Sequence, residues 1–319
     1  MRIGWNTVTT GPGAHHVAGR SNIREQVEDV LRAEREGFDT FAVNHGVGHD
    51  AIAVLTLAGW ETSRIRLLTA VVPNYLRHPV TMAQQAVTAQ AASRGRFTLG
   101  IGASHAAIIE EMFGMSFEAP ARYMREYLAI LLPLLSGEPV AHEGAGLTFR
   151  GGIFAEDFEP VPCALAAMGP VMLRLAGSQT RGTILWMATA KTIARYIAPR
   201  INAAAATSGR ERPEIICHLP VALTATPDAA REKADSDFEV YGRLPSYRAL
   251  LDEAGLSGPG DAAIVGDEAT IERALGELEE AGVTLFNVTA YECEPGAIER
   301  TRQFFADRFA ASADRERPV

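Results

Sequence analysis

The stretch that decides the fold is Arg94-Gly-Arg-Phe-Thr-Leu-Gly-Ile-Gly-Ala-Ser-His105. Phe97, Leu99 and Ile101 form a short apolar run bounded by Gly95 and Gly102, which is the pattern of a buried strand. Gly100 and Gly102 remove side chains where another body comes close, either a cofactor or a packed backbone. Ser104 is placed to cap a helix starting near Ala106 and carrying Glu110 and Glu111. A strand whose C-terminal end carries small and then polar residues is how an α/β barrel presents an active site. Gly100-Ile-Gly-Ala-Ser-His105 opens like the dinucleotide fingerprint G-x-G-x-x-G. It ends in His, however, and follows at least two strand–helix units, whereas that fingerprint belongs in the first.

Outward from this stretch the chain alternates. Strand patterns fall at 2–5, 38–44, 65–72, 96–101, 162–167, 182–187, 214–223 and 284–289. Helical patterns follow nearly every one: from an Asn22 cap to about Glu36, from Asp50 to Trp60, over 80–92 with Pro79 in the first turn, and over 122–136, 170–177, 193–206, 228–241, 246–254, 268–281 and 295–310. Eight βα units in one unbroken chain predict a closed (β/α)8 barrel spanning residues 1–319 as a single domain. An insertion is expected at about 103–160, with a hairpin arm near 147–150, and a loose C-terminal tail at about 311–319.

Composition limits the function. The chain has 319 residues, 47% of them hydrophobic, and its 30 basic and 39 acidic side chains give a net charge of −9. That balance repels nucleic acid and offers no basic cluster to offset it. Cys163, Cys217 and Cys293 are scattered and odd in number, so neither a disulfide framework nor a CxxC metal site is expected, and a reducing cytoplasm suits them. The first residues read as a strand rather than a signal peptide, and no apolar run is long enough to span a membrane.

In a barrel the C-terminal strand ends converge. Here they carry Asn6, Asn44 with His45, residues 69–73, Ser104 with His105, residues 167–169, Thr189 and residues 289–291. Small and amide groups dominate and carboxylates are scarce. There is no glycosidase-type acid pair, no Ser–His–Asp order and no nucleophile elbow. His45 and His49 are separated by Gly46 and Gly48 and lack a third ligand, so no metal site is expected. Protein groups this mild borrow reactivity from a cofactor. Ala166-Ala-Met-Gly-Pro170 runs from a strand into a helix N-terminus, where backbone N–H groups can hold a phosphate; an ordinary turn is the plainer reading. Lys191, after the next strand, can add charge.

Arg96-Phe-Thr-Leu-Gly-Ile-Gly-Ala-Ser-His105 resembles the strand-four signature of the bacterial luciferase-like superfamily, and more narrowly its coenzyme F420-dependent branch. Asn44-His45, Thr69-Ala-Val-Val-Pro73 with Arg77-His-Pro79, the Pro120–Tyr127 and 133–139 segments, Ala167-Met-Gly-Pro170 through Trp186, and Ile264-Val-Gly-Asp267 extend the likeness over nearly all of the chain. The resemblance implies a TIM-type barrel and a homodimer. It implies a deazaflavin lying on the barrel top, with FMN as the alternative cofactor. Asn44, Thr69, Ala70, Val71, Gly102, Ser104 and Lys191 would bind it. Thr69–Val71 would form the bulge behind the ring, with a non-proline cis peptide at Thr69–Ala70 or one residue later. Ala167, Met168 and Gly169 would hold the phosphate of the tail. His105 would transfer the proton, and His45 would contact ring and substrate.

Two departures stand out: Asn44 replaces the usual acid, and Thr180-Arg-Gly182 replaces a common Ala-Asp-Gly, so contacts to ring or tail are expected to differ. The loop 9–19, with His15 and His16, matches no pattern. The function implied is an F420H2-dependent oxidoreductase. It would deliver a hydride to a C=C or C=N bond of a small organic or peptide-derived substrate, of secondary-metabolite or dehydroamino-acid type. An FMN-dependent monooxygenase and a non-catalytic flavin-binding protein are the alternatives.

Overall fold

In a computed structural model, which describes residues 1–7 and 22–315, eight parallel strands close into a barrel. They are β1 (Arg2–Thr7), β2 (Thr40–Val43), β3 (Arg66–Thr69), β4 (Phe97–Gly102), β5 (Cys163–Ala166), β6 (Gly182–Trp186), β7 (Glu214–Leu223) and β8 (Leu285–Ala290). Each pairs with the next, and β8 returns to β1 with Arg2 opposite Leu285 and Trp5 opposite Val288. All eight strand patterns read from the sequence are therefore strands of the ring. Two short additions flank it: Val72–Pro73 runs beside the end of β4, and Ile264–Gly266 beside the end of β7.

The strands read as nearly continuous apolar runs because both of their faces are covered. Ala42, Leu68, Ala164, Ile184, Ile216 and Leu285 form one buried cluster of their own. Their alternate neighbours, among them Phe41, Leu67, Leu165, Ile215 and Phe286, pack in the larger cluster that includes the helices. Closure leaves little room inside. A Cβ on Gly100 would lie 1.9 Å from the Thr69 carbonyl oxygen, and one on Gly102 would lie 2.8 Å from Val71 Cγ2 and 3.2 Å from Ala166 Cβ. Both glycines in the deciding stretch therefore make way for the barrel's own neighbours.

The helices begin where local chemistry places them. Asn22 and Glu25 form a reciprocal capping box, Asp50 caps Ala51–Glu61, and Pro79 sits in the first turn of Pro79–Ala92 behind a His78 cap. Beyond β4 lie the long helix Pro120–Leu135 and an antiparallel hairpin of Val140–Glu143 with Thr148–Gly151. Three expectations are corrected. Ser104 caps nothing: it adopts φ +64°, and the turn after it is a π-helix, Ala107–Met112, with no side-chain cap. The helix expected over 228–241 is two, Pro227–Asp237 and Glu239–Arg243, broken where the Phe238 ring turns inward against Trp186 and Tyr291. The last helix, Ala297–Arg315, continues well past residue 310. Among the described residues no helix is long and apolar enough to cross a membrane.

Candidate active site at the barrel rim

A cavity of about 450 Å³ opens at the C-terminal ends of the strands. That volume is in the range of small-molecule and cofactor sites. Asn6 from β1, Asn44 and His45 after β2, Ala70 and Val71 after β3, and Ser104 and His105 after β4 line one side. Met168 after β5, Ile184 and Trp186 from β6, His218 from β7, and Phe238, Tyr241 and Tyr247 from the segment after β7 line the other. The two imidazoles of residues 45 and 105 thus share one chamber. The peptide bond between Ala70 and Val71 is cis, the second of the two positions named from the sequence.

Local structure positions each group. His45 directs Nδ1 at the Ala51 amide, which donates to it at 3.3 Å, and at Asp50 Oδ2, 3.8 Å away. Asp50 in turn is ion-paired with Arg77. Burial, reinforced by the Arg77 guanidinium and opposed by Asp50, lowers the His45 pKa below the ordinary imidazole value. His105 follows the left-handed Ser104, lies with its ring 5.5 Å from that of Tyr247, and has its pKa lowered by burial alone. Both imidazoles are therefore biased toward the neutral form, and in His45 the unprotonated nitrogen is Nδ1, which already accepts from the Ala51 amide. Burial also raises the Tyr247 phenol and pushes that of Tyr241 up to about 12, so both stay protonated hydrogen-bond donors.

Five of the residues assigned to the cofactor from sequence do not line this cavity. Thr69 faces β4, where its Oγ1 donates to the Gly100 carbonyl at 2.9 Å and accepts from the Gly100 amide at 2.8 Å. Gly102 is packed under Val71. Ala167 is buried and its carbonyl accepts from Thr183 Oγ1. Gly169 precedes helix Pro170–Gln179, whose N-terminus has no side-chain cap, and a Cβ there would meet nothing within 4 Å. Lys191 points elsewhere, donating from Nζ to the Ala254 carbonyl at 2.8 Å. The Thr180-Arg-Gly182 departure lies at the opposite end of the barrel, where Arg181 and Arg2 both pair with Glu214, so it bears on no rim contact. His78 is a helix cap, and His15 and His16 lie outside the described residues.

Sequence reading missed His218 and the aromatic segment. His218 is 3% exposed, its Nε2 lies 3.2 Å from Asn287 Nδ2, and burial lowers its pKa to about 3. A histidine inside a strand gives no local sign of facing the lumen. In Tyr241-Gly-Arg-Leu-Pro-Ser-Tyr247 the usable signal was the Gly and Pro that interrupt the helical pattern. The Asn6 Nδ2 group donates to Thr289 Oγ1 at 2.9 Å, but its Oδ1 and the Trp186 indole N–H are buried without a partner among the described residues. Buried polar atoms left open in a cavity wall are groups that a bound molecule satisfies. An apolar slot with one open acceptor, one open donor and a nearby uncapped helix N-terminus fits a flat heteroaromatic ring carrying a phosphorylated tail.

A family model described as luciferase-like monooxygenase matches residues 1–285. An F420-dependent glucose-6-phosphate dehydrogenase of Intrasporangium calvum is 30% identical over 242 residues, which cover 70% of each chain. Among solved structures, the coenzyme F420-dependent tetrahydromethanopterin reductase of Methanopyrus kandleri superposes with a TM-score of 0.72 at 22% identity, covering 97% of this chain and all of that one. A type II Baeyer–Villiger monooxygenase of Pseudomonas putida in complex with FMN superposes with a TM-score of 0.77 at 17% identity, over 98% of both chains. At those identities the two structures show a shared barrel.

Proposed function

The chain belongs to the luciferase-like monooxygenase family, and on that premise we propose that it is an F420H2-dependent oxidoreductase delivering a hydride to a C=C or C=N bond of an organic substrate. The observation that carries the reading is the single rim chamber joining His45, His105, the open Asn6 Oδ1 and the open Trp186 N–H. A relative 30% identical over 70% of the chain is named for F420, which favours the deazaflavin over FMN. When bound, the reduced deazaflavin supplies a hydride and reacts poorly with oxygen. The protein's part is to hold the ring, exclude water and manage one proton. Asn6, Asn44 and Trp186 would meet the ring's polar edge, Ala70 and Val71 would back its face, and the Gly169–Pro170 helix start would take the tail phosphate. His105 would give a proton to the substrate atom that does not receive the hydride, and His45, steadied by Asp50 and Arg77, would orient the reacting pair.

The test is a fluorescence titration with F420 and with FMN, followed by aerobic and anaerobic oxidation of F420H2 across a panel of unsaturated substrates. Tight F420 binding with oxygen-independent, substrate-dependent F420H2 oxidation is the expected result. Preference for FMN with oxygen uptake overturns it in favour of a monooxygenase. F420 binding without turnover of any substrate indicates a carrier.

We also propose a homodimer. Helices Ala51–Glu61 and Pro79–Ala92 carry one charged residue between them, Glu61, and Leu57 and Trp60 are 52% and 73% exposed on the first. Uncharged outer faces with exposed large apolar groups suit a self-complementary interface. Light scattering is expected to show a dimer for the native chain and a monomer for Trp60→Glu.

A further inference from the structure

We propose that the substrate is an uncharged, largely apolar molecule, selected by the wall that Ile108, Met112, Phe113, Val240, Leu244 and Tyr247 form over the rim. The proposal rests on the F420 reading above and names the substrate class for that same site. Among the described residues lining the cavity there is no Asp, Glu, Lys or Arg. Among the described residues of nearby segments, Lys191 donates to the Ala254 carbonyl and Arg248 to Asp252 and the Leu256 and Ser257 carbonyls, while Arg77 is paired with Asp50 outside the cavity lining and keeps one Nη1 without a partner. A carboxylate or phosphate drawn into this chamber would lose its water and meet no lysine or arginine in the described lining, only imidazoles that burial holds toward their neutral form.

The entrance makes the same selection. Met112 is 60% exposed, Phe113 40% and Val47, after β2, 76%, so large apolar side chains that line the cavity also stand in water. Exposed apolar groups gathered around an opening mark a contact surface for an apolar ligand. The π-helical turn Ala107–Met112 shifts the register of this segment and brings Ala107, Ile108 and Met112 all onto the cavity. Polar groups within the wall are neutral donors. Tyr241 and Tyr247 pack edge to face at 5.0 Å, and Tyr247 abuts His105 at 5.5 Å. A carbonyl or imine on an otherwise apolar molecule would accept from these phenols and lie beside the imidazole. A sugar phosphate, such as the one in the name of the Intrasporangium calvum relative, has no cationic partner among the described lining residues. A dehydroamino acid would fit as an internal residue of a peptide, where its ionic ends have become amides.

A matched pair of probes tests the selection: N-phenyl-1-naphthylamine, which is neutral, and its 8-sulfonate, which differs by one anionic group. Binding to the F420-loaded protein is read by equilibrium dialysis, with retained F420 followed by its own absorbance. The neutral probe is expected to bind at least about tenfold tighter. Leu244→Lys is expected to weaken the neutral probe by about tenfold and to improve the sulfonate. Equal or tighter binding of the sulfonate to the native protein overturns the proposal, as does a Leu244→Lys protein with unchanged preference. If that variant does not fold, Phe113→Lys at the exposed mouth makes the same comparison with the same deciding outcomes. If F420 itself fails to bind, the cofactor reading falls, and the probe pair on the cofactor-free protein still decides the selection by charge.

Discussion

The two sides of the rim cavity come from different halves of the barrel. Strands β1–β4 end in Asn6, Asn44, His45, Ser104 and His105, whereas β5, β6 and the segment after β7 bring Met168, Trp186, Phe238, Tyr241 and Tyr247. The first side can move a proton and bond a heteroaromatic edge. The second excludes water and sorts by polarity. The division is incomplete where the two meet: Ile108, Met112 and Phe113 of the selecting wall follow His105 on the segment after β4, and Tyr247 abuts the His105 ring. His218 is another exception: it belongs by sequence to the second half, but it lies beside Asn287 in the floor between the two.

The sharpest way to break this division is His105→Ala. Loss of a positioned acid–base group is expected to lower turnover about 10²- to 10⁴-fold, while F420 affinity, measured by fluorescence, stays nearly native. A loss of less than about threefold in turnover would remove His105 from proton transfer. Its pH profile sharpens the assignment. Burial lowers the His105 pKa, so the imidazolium fraction is small at neutral pH and grows on acidification. The reductive rate should therefore rise as pH falls toward that lowered pKa, and the reverse dehydrogenation should fall, with both trends absent in His105→Ala.

The next largest effect concerns the floor. His218 titrates at about 3 in the folded chain against an ordinary 6.5. Between those values the unfolded chain takes a proton that the folded chain refuses, so stability from this site is full above about 6.5 and is lost as pH falls toward 3. Denaturant unfolding should show a contribution of about 2 kcal/mol lost between pH 7 and pH 5, at ~1.4 kcal/mol per pH unit. His218→Gln should be less sensitive over the same interval by about that amount.

A smaller effect is expected at the ring edge. Asn6→Ala removes the open Oδ1 and should weaken F420 about fivefold to tenfold, near the value of one hydrogen bond, with little change in the preference between neutral and anionic probes. The smallest belongs to Lys191→Ala. Because its ammonium caps the Ala254 carbonyl, the substitution should leave F420 affinity within about twofold and cost about 1 kcal/mol of stability or less. A large drop in F420 affinity would put that lysine back on the tail phosphate.

Residues read correctly as strand ends were not thereby placed in the site. Thr69 and Ala70 are adjacent, yet Thr69 is the last residue of β3 and bonds the backbone of β4, whereas Ala70 and Val71, beyond the strand end and joined by the cis peptide, both line the cavity. Ser104 has the composition of a helix cap, but its left-handed backbone ends the strand in a turn, and its side chain lines the cavity instead. Phe238 reads as one more apolar position on a helix face. Its packing against Trp186 and Tyr291 interrupts that helix and brings Tyr241 and Tyr247 onto the rim.

The sequence by itself determined the eight strands, their alternation with helices and thus the closed parallel barrel, together with the rim as the place where chemistry gathers. Those features follow from short-range periodicity, capping and proline placement, which act within a few residues. Only the tertiary structure decided which rim groups meet. Ring closure brings residues 6, 45, 105, 186, 218 and 247 together across long chain separations. It also leaves Thr69, Gly102, Ala167, Gly169 and Lys191 out of the cavity lining, because a residue's surroundings depend on neighbours that no local pattern names.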